Sequence, residues 1–281
     1  MTSFKIKTAA VFLALAGLSL SACAVTVGAE QLLRPVAADT LDEAALAATA
    51  PSYALTRHQI TAPDGTKLHA VHLRQPGADK TVLYFGGNGY TIGRFGAATA
   101  AVFAPLKVNL MLVDHRGYGM SDGRPTPSNI QNDGAAAFDY LAALPGVQPG
   151  KIVVHGQSLG SFIAGFVAAN RPTAGVVLES SITTTEDWVK ARAGGAPVRV
   201  NLAPSLKGQG NLRKMPLIEE RVLLLVGAED KVTPPALSRA LYAASPLPAG
   251  RKTLAVISGA GHNDTLLQAE AIAAYRDFLR R

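Results

Sequence analysis

The sequence predicts an α/β fold in which helices cover both faces of a mostly parallel central sheet. Short apolar segments alternate with longer segments of helical periodicity along most of the chain. Parallel strands need long crossover connections, which helices usually provide. The clearest such unit is residues 152–165, where a β-branched apolar run leads into Gly-Gln-Ser-Leu-Gly and then into a helical pattern of small residues. The alternation and this strand–turn–helix unit together predict one wound sheet.

An antiparallel hairpin is expected ahead of the parallel strands. Residues 57–62 and 68–74 have strand patterns, and Pro63-Asp64-Gly65 between them is a turn signal. Besides the strand that starts at residue 152, further strands are predicted at 81–85, 110–114, 175–179, 221–226 and 252–257. Helices are predicted at 95–103, 132–144, 235–244 and 268–279, and after the turn at 156–160. Residues 180–216 are polar and interrupted by prolines and glycines, so we expect a short cap or substrate loop there.

Composition limits the classes of protein to consider. The 281 residues are 48% hydrophobic, which suffices for one domain with a sizeable core. The formal net charge of +7 comes from scattered basic residues, without a stretch that interleaves them with aromatics. We therefore expect no nucleic-acid partner, whereas an anionic membrane is compatible with the basic surface. The single cysteine excludes an internal disulfide and a cysteine-rich metal site.

The N-terminal residues are predicted to be a secretory signal. Two lysines precede an apolar run at residues 9–20, which is too short for a transmembrane helix. The run ends in Leu-Ser-Ala-Cys at residues 20–23, which resembles the lipobox of bacterial lipoproteins, where cleavage precedes a diacylated cysteine. This resemblance implies export and anchoring through Cys23, on the periplasmic side of the outer membrane if the organism is Gram-negative. The alternative is an ordinary signal peptide in which Cys23 is incidental.

The chain is accordingly divided into three parts. Residues 1–22 are the predicted lipoprotein signal peptide, and residues 23–54 are a tether with a short helix near residues 41–46. Residues 55–281 form the predicted domain, which includes the cap. No internal repeat or low-complexity segment interrupts the sequence.

The turn at residues 156–160 has the form G-x-S-x-G, the nucleophile elbow. Such a turn strains its central residue, and a side chain at either glycine position would meet neighbouring backbone. The turn lifts the Ser158 hydroxyl above the sheet edge and leaves the Leu159 N–H at a helix start, facing any oxyanion formed there. The alternative is a glycine-rich turn with an incidental serine.

A serine nucleophile needs a base within hydrogen-bond reach, and the base needs an acid to orient it. Asp230 and His262 each follow a predicted strand, and the order serine, aspartate, histidine is the one expected with this elbow. Glu229 and Glu179 are the alternatives for the acid. Asp264 lies too near His262 in sequence to orient it easily.

The second oxyanion donor is expected from the loop after the strand at 81–85. This loop reads Gly-Gly-Asn-Gly at residues 86–89, and its glycines let the backbone approach a substrate closely. The Asn88 N–H is the expected donor, paired with the Leu159 N–H. A phosphate-binding loop is the alternative, but no Gly-Lys-Ser/Thr follows and G-x-G-x-x-G does not fit.

Together these motifs resemble those of the α/β-hydrolase superfamily over residues 55–281. The segments that carry the resemblance are F-G-G-N-G-Y-T-I-G, D-H-R-G-Y-G-M-S-D-G, G-Q-S-L-G, G-A-E-D-K-V-T-P and G-A-G-H-N-D. Within the superfamily, the chain is similar to compact serine hydrolases with little or no cap. That group includes carboxylesterases, thioesterases, lipases and some peptidases. Many relatives have a histidine at the position of Gly86, which leaves open how this chain braces the oxyanion loop.

The resemblance implies a serine hydrolase that cleaves a carboxylic ester or thioester through an acyl-enzyme. Ser158 would be the nucleophile, His262 the base and Asp230 the acid, with no metal or organic cofactor. The expected substrate is a small-molecule or lipid acyl ester, with short to medium acyl chains preferred because the cap contains few large apolar residues. A peptidase or amidase of the same fold and a non-catalytic binding lipoprotein remain as alternatives.

Overall fold

The computed structural model describes residues 25–36, 40–193 and 200–281. Its strands are β1 (Val25–Val27), β2 (Ala54–Thr61), β3 (Lys67–Arg74), β4 (Thr81–Phe85), β5 (Asn109–Val113), β6 (Ile152–Gln157), β7 (Gly175–Glu179), β8 (Val200–Leu202), β9 (Val222–Gly227) and β10 (Lys252–Ile257). Its α-helices are α1 (Ala29–Leu32), α2 (Glu43–Thr49), α3 (Ile92–Phe103), α4 (Pro127–Ala142), α5 (Leu159–Ala168), α6 (Thr185–Ala193), α7 (Pro235–Ala244) and α8 (Ala269–Arg280).

Eight strands form one sheet in the order β10-β9-β7-β6-β4-β5-β3-β2. The hairpin of β2 and β3 lies at one edge, and β3 joins the rest of the sheet antiparallel to β5. All neighbours from β5 to β10 are parallel. The predicted α/β-hydrolase architecture is therefore confirmed. Because β4, β6, β7, β9 and β10 end at the same edge, the loops that follow them are brought together there.

The central strands are apolar throughout because helices cover both faces of the sheet. Alternate residues of β4 point to opposite sides: Leu83 and Phe85 belong to one core cluster, and Val82 and Tyr84 to the other. The first cluster includes Ile163 of α5, and the second is packed by α3 and α8. Helices packed on both faces therefore support the sheet whose edge carries the loops.

The helices α4 and α6 depart furthest from the helices predicted for the domain. α4 begins at Pro127, five residues before the predicted start, because Thr126 caps it and exchanges hydrogen bonds with Asn129. α6 occupies part of the segment that the sequence indicated only as a cap or loop. Its first turn is held by Thr184, whose side chain accepts from the Asp187 N–H.

The segment predicted as a tether contacts the domain in the structure. β1 pairs in parallel with β8, with Val25 opposite Val200 and Val27 opposite Leu202. Leu33 is 5% exposed and packs into the first core cluster. The division of the chain at residues 22 and 54 remains a prediction, and Cys23 lies outside the described residues. No helix in the described ranges is long and apolar enough to cross a membrane.

Candidate active site

Ser158 occupies the sharp turn between β6 and α5 with φ 53° and ψ −113°. A left-handed φ is uncommon for a residue with a side chain and marks local strain. The two glycines of the turn are required by packing: a β-carbon on Gly156 would overlap the Gly160 carbonyl, and one on Gly160 would overlap the carbonyl of Phe85. The Ser158 N–H is fixed by the carbonyl of Glu179 at 2.8 Å. The turn therefore holds the serine at the edge of the sheet.

The three residues selected for a triad are brought together from three loops. Ser158 Oγ lies 3.0 Å from His262 Nε2, and His262 Nδ1 lies 2.9 Å from Asp230 Oδ2. His262 is supplied by the loop after β10, and its side chain is 13% exposed. The imidazole therefore bridges the hydroxyl and the carboxylate, with one ring nitrogen facing each.

Asp230 is buried, and hydrogen bonds hold its carboxylate in place. Its Oδ1 accepts from the N–H groups of Val232 and Thr233, both at 2.8 Å, and its Oδ2 accepts from the Thr233 hydroxyl at 2.7 Å. Burial alone would raise the pKa of Asp230, but the bonds from His262 and Thr233 outweigh it and keep the pKa below its usual value. The carboxylate therefore stays charged at neutral pH. The sequence did not indicate this role for Thr233, although the residue lies only three positions after Asp230.

The other candidate acids have different partners. Glu179 is buried, and its Oε2 lies 3.0 Å from Nε2 of His155, which is fully buried. Glu229 is exposed. Asp264 accepts from the Gly261 N–H at 2.6 Å and so shapes the loop that carries His262. Of these carboxylates, the geometry favours Asp230 as the partner of His262.

The glycine-rich loop after β4 lies against the elbow. A β-carbon on Gly87 would lie 3.5 Å from Ser158 Cβ and would overlap the side-chain oxygen of Gln157. The loop turns at Asn88, where the Tyr90 N–H bonds the Gly87 carbonyl at 3.0 Å. Leu159 begins α5, so its N–H is among those that the helix leaves without an internal acceptor. Both amides expected to bind an oxyanion therefore belong to segments adjacent to Ser158.

His115 and Tyr118 show how the loop is braced without a histidine at position 86. His115 Nε2 donates to the Gly86 carbonyl at 2.7 Å, and the Tyr118 hydroxyl donates to Asn88 Oδ1 at 2.8 Å. Burial lowers the pKa of His115, which favours the neutral ring. Both residues belong to D-H-R-G-Y-G, but that motif alone does not indicate which loop they brace. Both residues follow β5, which pairs in parallel with β4, so the loops after the two strands are expected to lie side by side.

The neighbouring Asp114 and Arg116 have structural partners. Asp114 accepts from the Ile92 N–H at 2.7 Å, which fixes the start of α3 just beyond the glycine-rich loop. Arg116 bonds Asp133 through two nitrogens, at 2.6 and 2.8 Å. These contacts tie the segment after β5 to α3 and α4.

The cap segment rests on the loop that carries the acid. Trp188 of α6 donates from its indole nitrogen to the Val232 carbonyl at 2.8 Å. Further along the segment, the buried Asn211 donates to the Ser161 carbonyl in α5 at 2.9 Å. The cap is therefore held beside the serine and the aspartate. In the parts of the chain described by the structure, no group of three or more His, Cys, Asp or Glu side chains is arranged to hold a metal ion.

Comparisons with known proteins agree with this architecture. The esterase Pf2001 of Pyrococcus furiosus superposes with a TM-score of 0.70 at 19% identity, over 89% of this chain and 98% of that one. Est1E of Butyrivibrio proteoclasticus, solved with ferulic acid bound, gives a TM-score of 0.62 at 19% identity, over 79% of this chain and 98% of that one. At these identities the likeness concerns the fold.

Sequence relatives extend the comparison. An uncharacterized protein of Mycobacterium tuberculosis is 32% identical over 60% of this chain, and the match spans 58% of that protein's length. Protein bem46 of Schizosaccharomyces pombe is 27% identical over 80% of this chain and 74% of its own length. Residues 76–220, more than half of the chain, match the Hydrolase_4 family, described as serine aminopeptidase, S33. The chain therefore belongs to this hydrolase family of the α/β-hydrolase superfamily.

Proposed function

We propose that the protein is a serine hydrolase that cleaves a carboxylic ester or thioester through an acyl-enzyme intermediate. The observation that carries this proposal is the continuous chain of contacts from Ser158 Oγ to His262 Nε2 at 3.0 Å and from His262 Nδ1 to Asp230 Oδ2 at 2.9 Å. The strained turn presents the hydroxyl at the sheet edge, beside the glycine-rich loop. Nucleophile, base and orienting acid are thus within hydrogen-bond reach of one another, as acyl transfer requires.

The proposed reaction has two halves. Ser158 Oγ attacks the acyl carbonyl while His262 Nε2 takes the hydroxyl proton, and the Asn88 and Leu159 amides bind the developing oxyanion. The tetrahedral intermediate collapses, and His262 gives the proton to the departing alcohol or thiol. Water then attacks the acyl-enzyme with the same base, which releases the carboxylic acid and restores the serine. Asp230 keeps the imidazole in the required tautomer and stabilises the imidazolium formed in each half.

An aminopeptidase is the second candidate, because the matched family is described by that activity. Such an enzyme would recognise the free amino terminus of its substrate with a carboxylate. The two acidic residues of α6 already accept hydrogen bonds within the cap: Glu186 from the Gly208 N–H at 2.8 Å and Asp187 from the Thr183 hydroxyl at 2.7 Å. Both carboxylates of α6 therefore already have hydrogen-bond partners within the cap.

A substrate panel separates the candidates. An esterase should hydrolyse p-nitrophenyl butyrate and butyryl thiocholine and should leave alanine p-nitroanilide intact. N-acetylalanine p-nitroanilide is the matched control, since an aminopeptidase needs the free amine and a general amidase does not. Turnover of the free anilide alone would establish the aminopeptidase instead, and turnover of both anilides would establish an amidase.

The cap predicts a preference for short to medium acyl chains. A long chain needs an apolar wall, since each buried methylene contributes only about 0.8 kcal/mol. Leu202 and Leu206 of the cap are 9% and 3% exposed, so they are already packed within the fold. We expect kcat/KM to be higher for acetyl and butyryl esters than for palmitoyl esters, measured below their micelle concentrations. A steady rise through palmitoyl would instead indicate a deep pocket and a lipase-like enzyme.

We also propose that the protein is exported and anchored through lipidated Cys23, in the outer membrane facing the periplasm if the organism is Gram-negative. The support is the lipobox-like sequence at residues 20–23. Cys23→Ala should abolish lipid attachment, because its thiol is the acceptor in the lipobox-like sequence, and the wild type should fractionate with membranes, because two acyl chains give stable anchoring. Metabolic labelling with a palmitate analogue measures the attachment. A wild-type protein found soluble, unlipidated and starting at another residue would contradict the anchor.

A further inference from the structure

The N-terminal segment of residues 25–36, here called the strap, is built into the surroundings of the proposed active site. It begins as β1 on the cap strand β8, and its Val27 carbonyl also accepts from the Ala203 N–H at 2.9 Å. Leu33 then enters the core at 5% exposure. At the far end, the Val36 carbonyl accepts from the Gly119 N–H at 2.9 Å. The strap therefore joins the cap to the loop after β5 and passes the glycine-rich loop on the way.

At that crossing the strap holds the side chain of Asn88. The Arg34 N–H donates to Asn88 Oδ1 at 3.0 Å, and Asn88 Nδ2 donates to the Leu32 carbonyl. The Tyr118 hydroxyl is the second donor to the same oxygen, at 2.8 Å. Two of the three bonds that orient this carboxamide therefore come from the backbone of the strap.

The Asn88 turn needs such support from outside. It lies between Gly87 and Gly89, and Gly89 has φ 86° with nothing within 4 Å of the place where its β-carbon would be. Glycines leave the backbone free to take other conformations. His115 fixes the Gly86 carbonyl at the start of the loop, and the Tyr90 N–H closes the turn at the Gly87 carbonyl. The bonds to the Asn88 side chain add the contacts that hold the tip of the turn from outside the loop.

We propose that the strap is a positioning element of the oxyanion hole, which holds the Asn88 N–H in the orientation that binds the oxyanion. This inference rests on the proposed hydrolase function and assigns a role in it to residues before the predicted domain. Its consequence is that the segment directly after Cys23 serves turnover as well as attachment.

The test removes one hydrogen-bond donor of the strap and puts a proline ring carbon where the N–H points at Asn88 Oδ1, 3.0 Å from the nitrogen. Arg34→Pro deletes the N–H that bonds Asn88, and the preceding Leu33, at φ −87° and ψ 118°, already has the extended conformation that a following proline requires. Arg34→Ala is the matched control, since it loses the exposed side chain and keeps the N–H. We expect Arg34→Pro to lower kcat for p-nitrophenyl butyrate by about 10- to 100-fold relative to Arg34→Ala, with KM within about twofold.

Active sites are counted by titration with a fluorophosphonate, so that a fall in kcat is not confused with a loss of folded protein. If Arg34→Pro does not fold, Asn88→Ala is compared with Tyr118→Phe. Asn88→Ala removes all three side-chain bonds and keeps the backbone N–H, whereas Tyr118→Phe removes only the bond that does not come from the strap. Equal kcat values per active site for the variant and its control would overturn the role of the strap. A wild-type protein without ester or thioester hydrolysis would instead count against the proposed function, so the two failures are distinguishable.

Discussion

Replacing Ser158 by alanine should lower kcat for ester hydrolysis by about six orders of magnitude, the scale seen when a serine nucleophile is removed. Without the hydroxyl there is no acyl-enzyme, and the remaining amides can only polarise the substrate for attack by water. The fold should be retained, since Ser158 Oγ contacts His262 while the turn is held by backbone bonds and by the glycines at 156 and 160. Steady-state rates and thermal unfolding of the two proteins measure both expectations.

The matched control is Ser128→Ala, which removes the hydroxyl of an exposed serine in the first turn of α4. It should leave kcat and KM unchanged. If Ser158→Ala kept more than about a tenth of wild-type activity, the reaction would not pass through this serine, because triad nucleophiles cannot be replaced at so small a cost.

Asp230→Asn should fold normally and lose about four orders of magnitude in kcat. An asparagine in this position can present its NH₂ group to His262 Nδ1, which would favour the wrong tautomer of the imidazole and leave Nε2 unable to accept the serine proton. Removal of the negative charge also destabilises the imidazolium formed during attack. The effect should appear in kcat rather than in KM, since the acid does not contact the substrate in this mechanism.

Glu179→Gln is the matched control for the loss of a buried carboxylate. A glutamine keeps an oxygen or an amide within reach of His155, which lies 3.0 Å from Glu179 Oε2, and the Glu179 backbone carbonyl that holds the Ser158 N–H is unchanged. We expect little loss of activity. A large loss with Glu179→Gln and a small one with Asp230→Asn would place the acid on β7.

The elbow and the parallel strands could be predicted because short-range constraints determine them. The bounds of β4 and β7 match the predicted 81–85 and 175–179, since strands buried on both faces are continuous apolar runs. The glycines around Ser158 are required within five residues of sequence, which makes that turn recognisable. The proximity of Asp230 and His262 followed from the rule that parallel strands end at one edge.

The contacts that brace the glycine-rich loop could not be predicted in the same way. His115 reaches Gly86 across 29 residues of sequence, and Arg34 reaches Asn88 across 54. The strap contacts Asn88 through backbone N–H and carbonyl groups, which every residue type has, so no sequence pattern could indicate these bonds. Similarly, α6 has only a few apolar residues that could predict it. Its Trp188 donates a hydrogen bond to the Val232 carbonyl in the loop that carries Asp230, which is a contact between residues distant in sequence.

The most direct test of the proposed mechanism is covalent labelling with a fluorophosphonate, followed by intact-mass measurement and peptide mapping. The probe reacts with a serine that is activated by a base and stabilised at an oxyanion hole. The proposal predicts one adduct per wild-type chain, located on Ser158, and no adduct on Ser158→Ala. A correctly folded wild-type protein that takes no label, or that takes it on another residue, would contradict the assignment of Ser158 as the nucleophile.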